Sequence, residues 1–152
     1  MNEDEKFMQV AIKEAKKAQK NDEVPIGAVI VKEGKIIAKA YNRRNKSKIA
    51  THHAEILAIE RACKQIGDWR LEGCTIYVTL EPCPMCAGAI MNARLSKVVY
   101  GAKDLSSEEN TFMQIVSDTK RLNHKVDVVE GVLKEECAHV LSTFFKQKRI
   151  NQ

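Results

Sequence analysis

Two short motifs sit at what read as two helix starts with a strand between them, and that arrangement limits the folds open to the chain. Ile56, Ile59, Cys63 and Ile66 recur at helical spacing and mark one face of a helix. Thr51 is a suitable cap for it, which places His53-Ala54-Glu55 in the first turn. Downstream, Pro82-Cys83-Pro84-Met85-Cys86 carries two thiols nearly one turn apart, with a proline where a helix start tolerates it. Thr75 to Leu80, between the two motifs, reads as a buried strand. The motifs are therefore joined by a strand-containing crossover, and an ion bound to both would pin neighbouring helix starts at one end of a sheet. Residues two apart on a regular helix diverge by about 200°, so His53 and Glu55 converge only where the first turn is irregular.

The residue types suit a catalytic zinc site. His53 offers an imidazole, while Cys83 and Cys86 offer thiolates, which the helix dipole favours. These three ligands leave zinc's fourth position open to water. A closed structural site would want a fourth Cys or His at similar spacing, and no second close Cys pair exists: Cys63, Cys74 and Cys137 stand alone. Bound zinc lowers the pKa of water from about 15.7 to about 7, making a nucleophile available for an amino-bearing ring carbon. The leaving amine must then gain a proton. Glu55 fits the role of proton shuttle better than that of a fourth ligand. With four His and twenty acidic residues, a His-x-acid triplet arises readily by chance, whereas Pro-Cys-x-x-Cys from three Pro and five Cys is rarer. The rival reading of Cys83-Pro84-Met85-Cys86 is a redox dithiol. Such motifs usually follow a first strand, and that reading leaves His53 and Glu55 unexplained.

The rest of the chain fills in the architecture. Met8, Ala11, Ile12 and Ala15 define an amphipathic helix over the first twenty residues. Residues 26–31 and 36–40 form a hairpin turned at Gly34. Residues 98–100 and 126–129 add strands, and Leu133, Cys137, Val140, Leu141 and Phe144 face the core from a last helix. Five strands alternating with helices predict a three-layer α/β/α sandwich in a single domain, residues 1–152. Cys63, Cys137 and Trp69 are expected in packing roles. The charged opening Met1 to Lys6 lacks an apolar signal core, no run reaches membrane-spanning length, and five cysteines form no disulfide framework, so a cytoplasmic location is expected. Net charge is only +5, but Arg43, Arg44, Lys46 and Lys48 follow Asn42, and Lys146, Lys148 and Arg149 close the chain. Both clusters could hold phosphates, or simply be solvated basic segments.

The signature and its division of labour are those of the zinc nucleobase deaminases. The chain resembles the bacterial tRNA-specific adenosine deaminases (the TadA family) nearly end to end. The likeness runs through Val24-Pro25-Ile26-Gly27-Ala28-Val29, Asn42, His53-Ala54-Glu55-Ile56, Tyr77-Val78-Thr79-Leu80-Glu81-Pro82-Cys83 and Cys86-Ala87-Gly88-Ala89-Ile90. It continues through Val98-Val99-Tyr100-Gly101-Ala102, Asn123-His124 and Phe144-Phe145-Lys146-Gln147-Lys148-Arg149. The resemblance implies a cytidine deaminase-like fold with a five-stranded mixed sheet. It implies one zinc per subunit on His53, Cys83 and Cys86, Glu55 as shuttle, and substrate contacts at Asn42 and Ala54. The implied reaction converts adenosine to inosine, with release of ammonia, at the wobble position of an arginine tRNA. A homodimer holding an anticodon stem-loop is implied too, with the basic tail touching RNA. There are two departures: His52, where relatives carry a small residue, and Ser106 to Asn110, where many have a glycine-rich stretch. A helix-start histidine such as His52 is ordinarily solvated or a cap. Two other functions stay open. One is a deaminase of free guanine or cytosine; the other is a non-catalytic zinc RNA-binding subunit, against which Glu55 argues.

Overall fold

The computed structural model describes residues 1–106 and 111–150. Helix α1 (Glu3–Lys20) starts at a capping box: the Asn2 side chain accepts from Glu5 N at 2.8 Å, and Glu5 Oε1 accepts from Asn2 N at 3.2 Å. Strands β1 (Gly27–Lys32) and β2 (Lys35–Tyr41) form the expected hairpin. Glu33 and Gly34 both take positive φ, 51° and 75°, the conformation a two-residue turn needs to match strand twist. The chain continues through α2 (Arg44–Ser47), α3 (Ala54–Ile66), β3 (Cys74–Leu80), α4 (Pro84–Asn92) and β4 (Lys97–Ala102). It ends with α5 (Thr111–Val116), α6 (Thr119–Leu122), β5 (Asp127–Val129) and α7 (Lys134–Ile150).

The five strands lie in the order β2-β1-β3-β4-β5. Strand β1 is antiparallel to β2 and β3, whereas β3, β4 and β5 are parallel, so the sheet is mixed. Alternation along the central strands builds two cores. Ala28, Ile30, Ile76, Val78, Val98 and Tyr100 pack with residues of α3, α4 and α5. Val29, Val31, Tyr77 and Val99 face the other way, toward α1 and α7. The expected three-layer α/β/α sandwich is thus realised. Helix α1 rests directly on β1 because Gly27 has no side chain; a Cβ there would run into the Ala11 carbonyl and lie 2.6 Å from Ala15 N. Helix backbone would have to move to admit it. Gly27→Ala is therefore expected to cost at least about 1–3 kcal/mol, read as a lower midpoint in denaturant unfolding.

Three expectations need correction. Thr51 does not cap α3; the N-cap is His53, which makes no side-chain capping bond. The deepest face of α3 is Ala54, Leu57, Ala58 and Ala62, while Ile59, Cys63 and Ile66 are half-buried at the edge of the same core. Helix and sheet approach closely, so alanines occupy the line of contact and the isoleucines splay beside it. Trp69 is not packed inside. It is 55 % exposed, with the Arg70 guanidinium 5.1 Å from its ring centre. Gly67, in a left-handed conformation (φ 79°), closes α3 just before it and turns the chain outward.

Candidate active site

Because β1 is antiparallel to both β2 and β3, those two strands run in the same direction. Helices α3 and α4, which follow them, start at the same end of the sheet, beyond the strand C-termini where α/β folds place ligands. His53 and Cys83 occupy equivalent positions, each the extended residue just before a helix: φ −74° and ψ 154° for His53, φ −69° and ψ 170° for Cys83. Pro84 opens α4, and Cys86 follows one turn on. The extended backbone at His53 also removes the geometric obstacle set by the His-x-Glu spacing. His53 stands outside the helix and Glu55 inside it, so the 200° divergence of a regular helix does not apply.

His53 Nδ1 lies 3.6 Å from Cys83 Sγ and 3.7 Å from Cys86 Sγ. The three donor atoms all fall within 4.8 Å of one another. A tetrahedral zinc, with Zn–N of about 2.0–2.1 Å and Zn–S of about 2.3 Å, requires N···S separations of about 3.5–3.6 Å. The donor set therefore fits such an ion in both chemistry and spacing. The Cys86 thiol, hydrogen-bonded to Cys83, holds the Cys83 pKa down to about 4, helped by His53 and against the effect of burial. The same hydrogen bond, together with burial, drives Cys86 strongly upward. The imidazole of His53 is raised, chiefly by its bond to Cys83. Metal ligands must be deprotonated, so a divalent cation bound here would release thiol protons.

Glu55 is only 4 % exposed, and burial pushes its pKa up to about 7. A carboxyl group poised there can both take and give a proton at neutral pH. Beside it, Val24, Ile26, Asn42, Arg44, His53 and Ala54 line a cavity of about 120 Å³. Asn42 is nearly buried and held at both ends: Nδ2 donates to Val24 O at 3.3 Å, and Oδ1 accepts from Arg44 N at 3.2 Å. One amide proton and one lone pair remain for a ligand. Ala54, fully buried, is the first residue of α3. On the other side of the cysteines, Glu81, Pro82, Cys83, Pro84, Asp104, Thr111 and Phe112 line a second cavity of about 510 Å³.

The basic clusters are placed unequally. Arg44 lines the first cavity, with Lys46 exposed on the same short helix and Lys48 just past its end. Arg43 is half-buried, its guanidinium 6.0 Å from the Tyr41 ring centre. In the closing cluster Lys146 and Arg149 are exposed, whereas Lys148 is paired with Asp22 and lies 5.6 Å from the Phe144 ring centre. A separate groove, lined by Val24, Asp104, Leu105, Leu141 and Phe145 among others, lies along α7 and shares Val24 with the first cavity. His52 does not cap α3; it is half-buried, with its Nδ1 2.8 Å from Ser47 Oγ. Ser106 donates through N and Oγ to Asp104 Oδ1, while residues 107–110 of the departing stretch lie outside the described residues. Among the described residues three further carboxylates are buried without a role assigned from sequence: Glu14, 4 % exposed, Glu23, 1 % exposed, and Glu81, whose Oε1 accepts from Asp104 N at 3.2 Å.

Comparison with known proteins agrees with this geometry. The model of the MafB19-like deaminase family matches residues 1–149. The tRNA-specific adenosine deaminase of Bacillus subtilis (strain 168) is 53% identical over 150 residues, covering 98% of this chain and 92% of the relative. That of Aquifex aeolicus (strain VF5) is 46% identical over 147 residues, covering 97% of each. A solved structure from studies of A-to-I editing by tRNA:A34 deaminases superposes with a TM-score of 0.82 at 42% identity, over 89% of this chain and 98% of the other. A guanine deaminase from Nitrosomonas europaea shares the fold at 22% identity, with a TM-score of 0.79 over 92% of this chain and 83% of the other. With half its residues shared with relatives of nearly its own length, and with a His/Cys/Cys group and a buried glutamate gathered at one sheet end, the chain belongs to the MafB19-like deaminases and, within them, to the bacterial tRNA-specific adenosine deaminases.

Proposed function

We propose that the protein is a zinc-dependent hydrolase that converts adenosine to inosine at wobble position 34 of a tRNA, releasing ammonia. The observation that carries this reading is the convergence of His53, Cys83 and Cys86 beside buried Glu55, next to a cavity walled by Asn42 and Ala54. His53 Nδ1 and the Sγ atoms of Cys83 and Cys86 would hold the ion. Zinc, when bound, supplies acidified water with a pKa of about 7. Glu55 would take one proton from the attacking water and give it to the ring nitrogen, then take the second from the hydroxyl now on the ring carbon and give it to the departing amine. Its burial serves this task, since a solvated carboxylate would stay ionised and be a poor donor. Asn42, held by Val24 and Arg44, presents its remaining amide proton and lone pair to the base edge. Ala54, with only a methyl group, leaves room for the ring beside the ion.

The substrate in this proposal is an anticodon stem-loop of an arginine tRNA. Loop bases can be splayed outward without melting a helix. Arg44 at the cavity, and Arg43, Lys46, Lys48, Lys146, Lys148 and Arg149 further out, are proposed to meet its phosphates. Lys148 would do so only by leaving Asp22. The groove beside α7, which shares Val24 with the cavity, supports a polymer over a free base, since it offers surface beyond what one ring fills. Homodimeric assembly and a cytoplasmic location belong to the same proposal. No helix among the described residues is long and apolar enough to cross a membrane.

The test is to incubate zinc-replete protein with matched anticodon stem-loops carrying adenosine or cytidine at the wobble position, and separately with free guanine and cytosine. Inosine from the adenosine RNA alone is expected. Ammonia from a free base only would keep the chemistry and overturn the substrate.

A further inference from the structure

Helix α2 has little reason to exist by itself. It is a single turn of four residues, buries none of them, and follows an N-cap, Arg43, whose side chain makes no capping bond. One-turn helices are unstable in isolation. What holds α2 comes from elsewhere in the chain. Glu23 Oε1 accepts from Asn45 N at 3.0 Å and Oε2 from Lys46 N at 2.7 Å, across 22 and 23 residues of sequence. A buried carboxylate on the free N–H groups of a helix start is both hydrogen-bonded and favoured by the helix dipole.

The residues flanking Glu23 reach other elements proposed to meet the substrate. Asp22, with positive φ (61°), pairs with Lys148 near the end of α7. The Val24 carbonyl holds Asn42 Nδ2. Three consecutive residues thus tie together the closing basic cluster, the arm that carries Arg44 and Lys46, and the amide facing the cavity. His52 fastens the other end of α2. The Ser47 hydroxyl has one proton, donated to Arg43 O at 2.7 Å, so at 2.8 Å His52 Nδ1 must be the donor to Ser47 Oγ. Arg43 N in turn donates to His52 O at 3.1 Å, joining the arm to the residue before His53.

We propose that Glu23 is a positioning residue for substrate binding: it keeps α2 folded in the free protein, so that Arg44, Lys46 and Asn42 are in place before the RNA arrives. The proposal rests on the RNA substrate put forward above. Without the clamp the arm would have to order as it bound, weakening affinity while leaving the reacting groups untouched. A carboxylate is specifically required. Glutamine has one acceptor oxygen, and its NH₂ would confront the second N–H.

The test uses E23Q in the full-length zinc enzyme, assayed on a wobble-adenosine stem-loop alongside amide hydrogen exchange. Loss of a hydrogen bond to a charged group corresponds to a change of about 10- to 100-fold. KM is therefore expected to rise at least about tenfold with kcat within about twofold, zinc content unchanged, and faster exchange at Asn45 and Lys46 alone. Unchanged KM overturns the proposal, as does a fall in kcat and zinc content together, which would make Glu23 a general structural residue. Should E23Q not fold, exchange in the unmutated protein decides: Asn45 and Lys46 amides must be protected without RNA, and random-coil exchange refutes the clamp. A wild-type enzyme inactive on every RNA would refute the substrate reading instead, because exchange reports the clamp independently.

Discussion

Glu55→Ala is expected to retain zinc and fold while losing activity by several orders of magnitude. General acid–base catalysis contributes about 10²–10⁴-fold for one group, and Glu55 is asked to relay two protons in a site where water cannot readily replace it, being 4 % exposed. Folding should survive because the Glu55 carboxylate is costly to bury, as its raised pKa reflects. Steady-state rates on the wobble-adenosine stem-loop, with metal analysis and thermal unfolding of the same preparation, make the comparison. A variant keeping most of its activity would refute the shuttle assignment. One that loses zinc along with activity would move Glu55 among the ligands.

Cys86→Ser should produce the opposite pattern, with zinc content and stability falling together. Cys86 is fully buried, sits one turn into α4, and lies 3.7 Å from His53 Nδ1. Changing a group that merely supports a ligand typically costs about 10- to 100-fold in metal affinity, so exchanging a ligand thiolate for a hydroxyl should cost more than about 100-fold. Metal binding free energy is also folding free energy. The variant should therefore unfold at lower temperature than the wild type and lose the stabilisation that added zinc gives it. Normal zinc occupancy after dialysis against a mild chelator would remove Cys86 from the ligand set.

The two mutants probe parts of the site that differ in how far sequence alone reveals them. Cys83 and Cys86 are legible because their relation is local: three residues and a proline at a helix start dictate that both thiols leave the same turn. The convergence of His53 with Glu55 is only half legible. The pair of residue types states the chemistry, but the spacing argues against their meeting until His53 proves to be extended, outside the helix it precedes. The face of α3 was misread in a related way. Isoleucines mark hydrophobicity, whereas close approach to the sheet selects alanines, and nothing local measures that distance.

By itself the sequence determined the donor types, their order along the chain, the presence of an acidic partner, and the alternation of strands and helices. All of these depend on residue identity and on spacings within a turn or two. Tertiary structure decided that β1 inserts antiparallel between β2 and β3, so that both helix starts share one sheet end. It decided that Lys148 is tied to Asp22, that Trp69 faces water, and that Glu23 lies buried beneath a surface arm. The physical reason is common to these cases. The cost of burying a charge and the strength of the bonds that offset it depend on groups brought near by the fold, and the bonds Glu23 makes span more than twenty residues of chain.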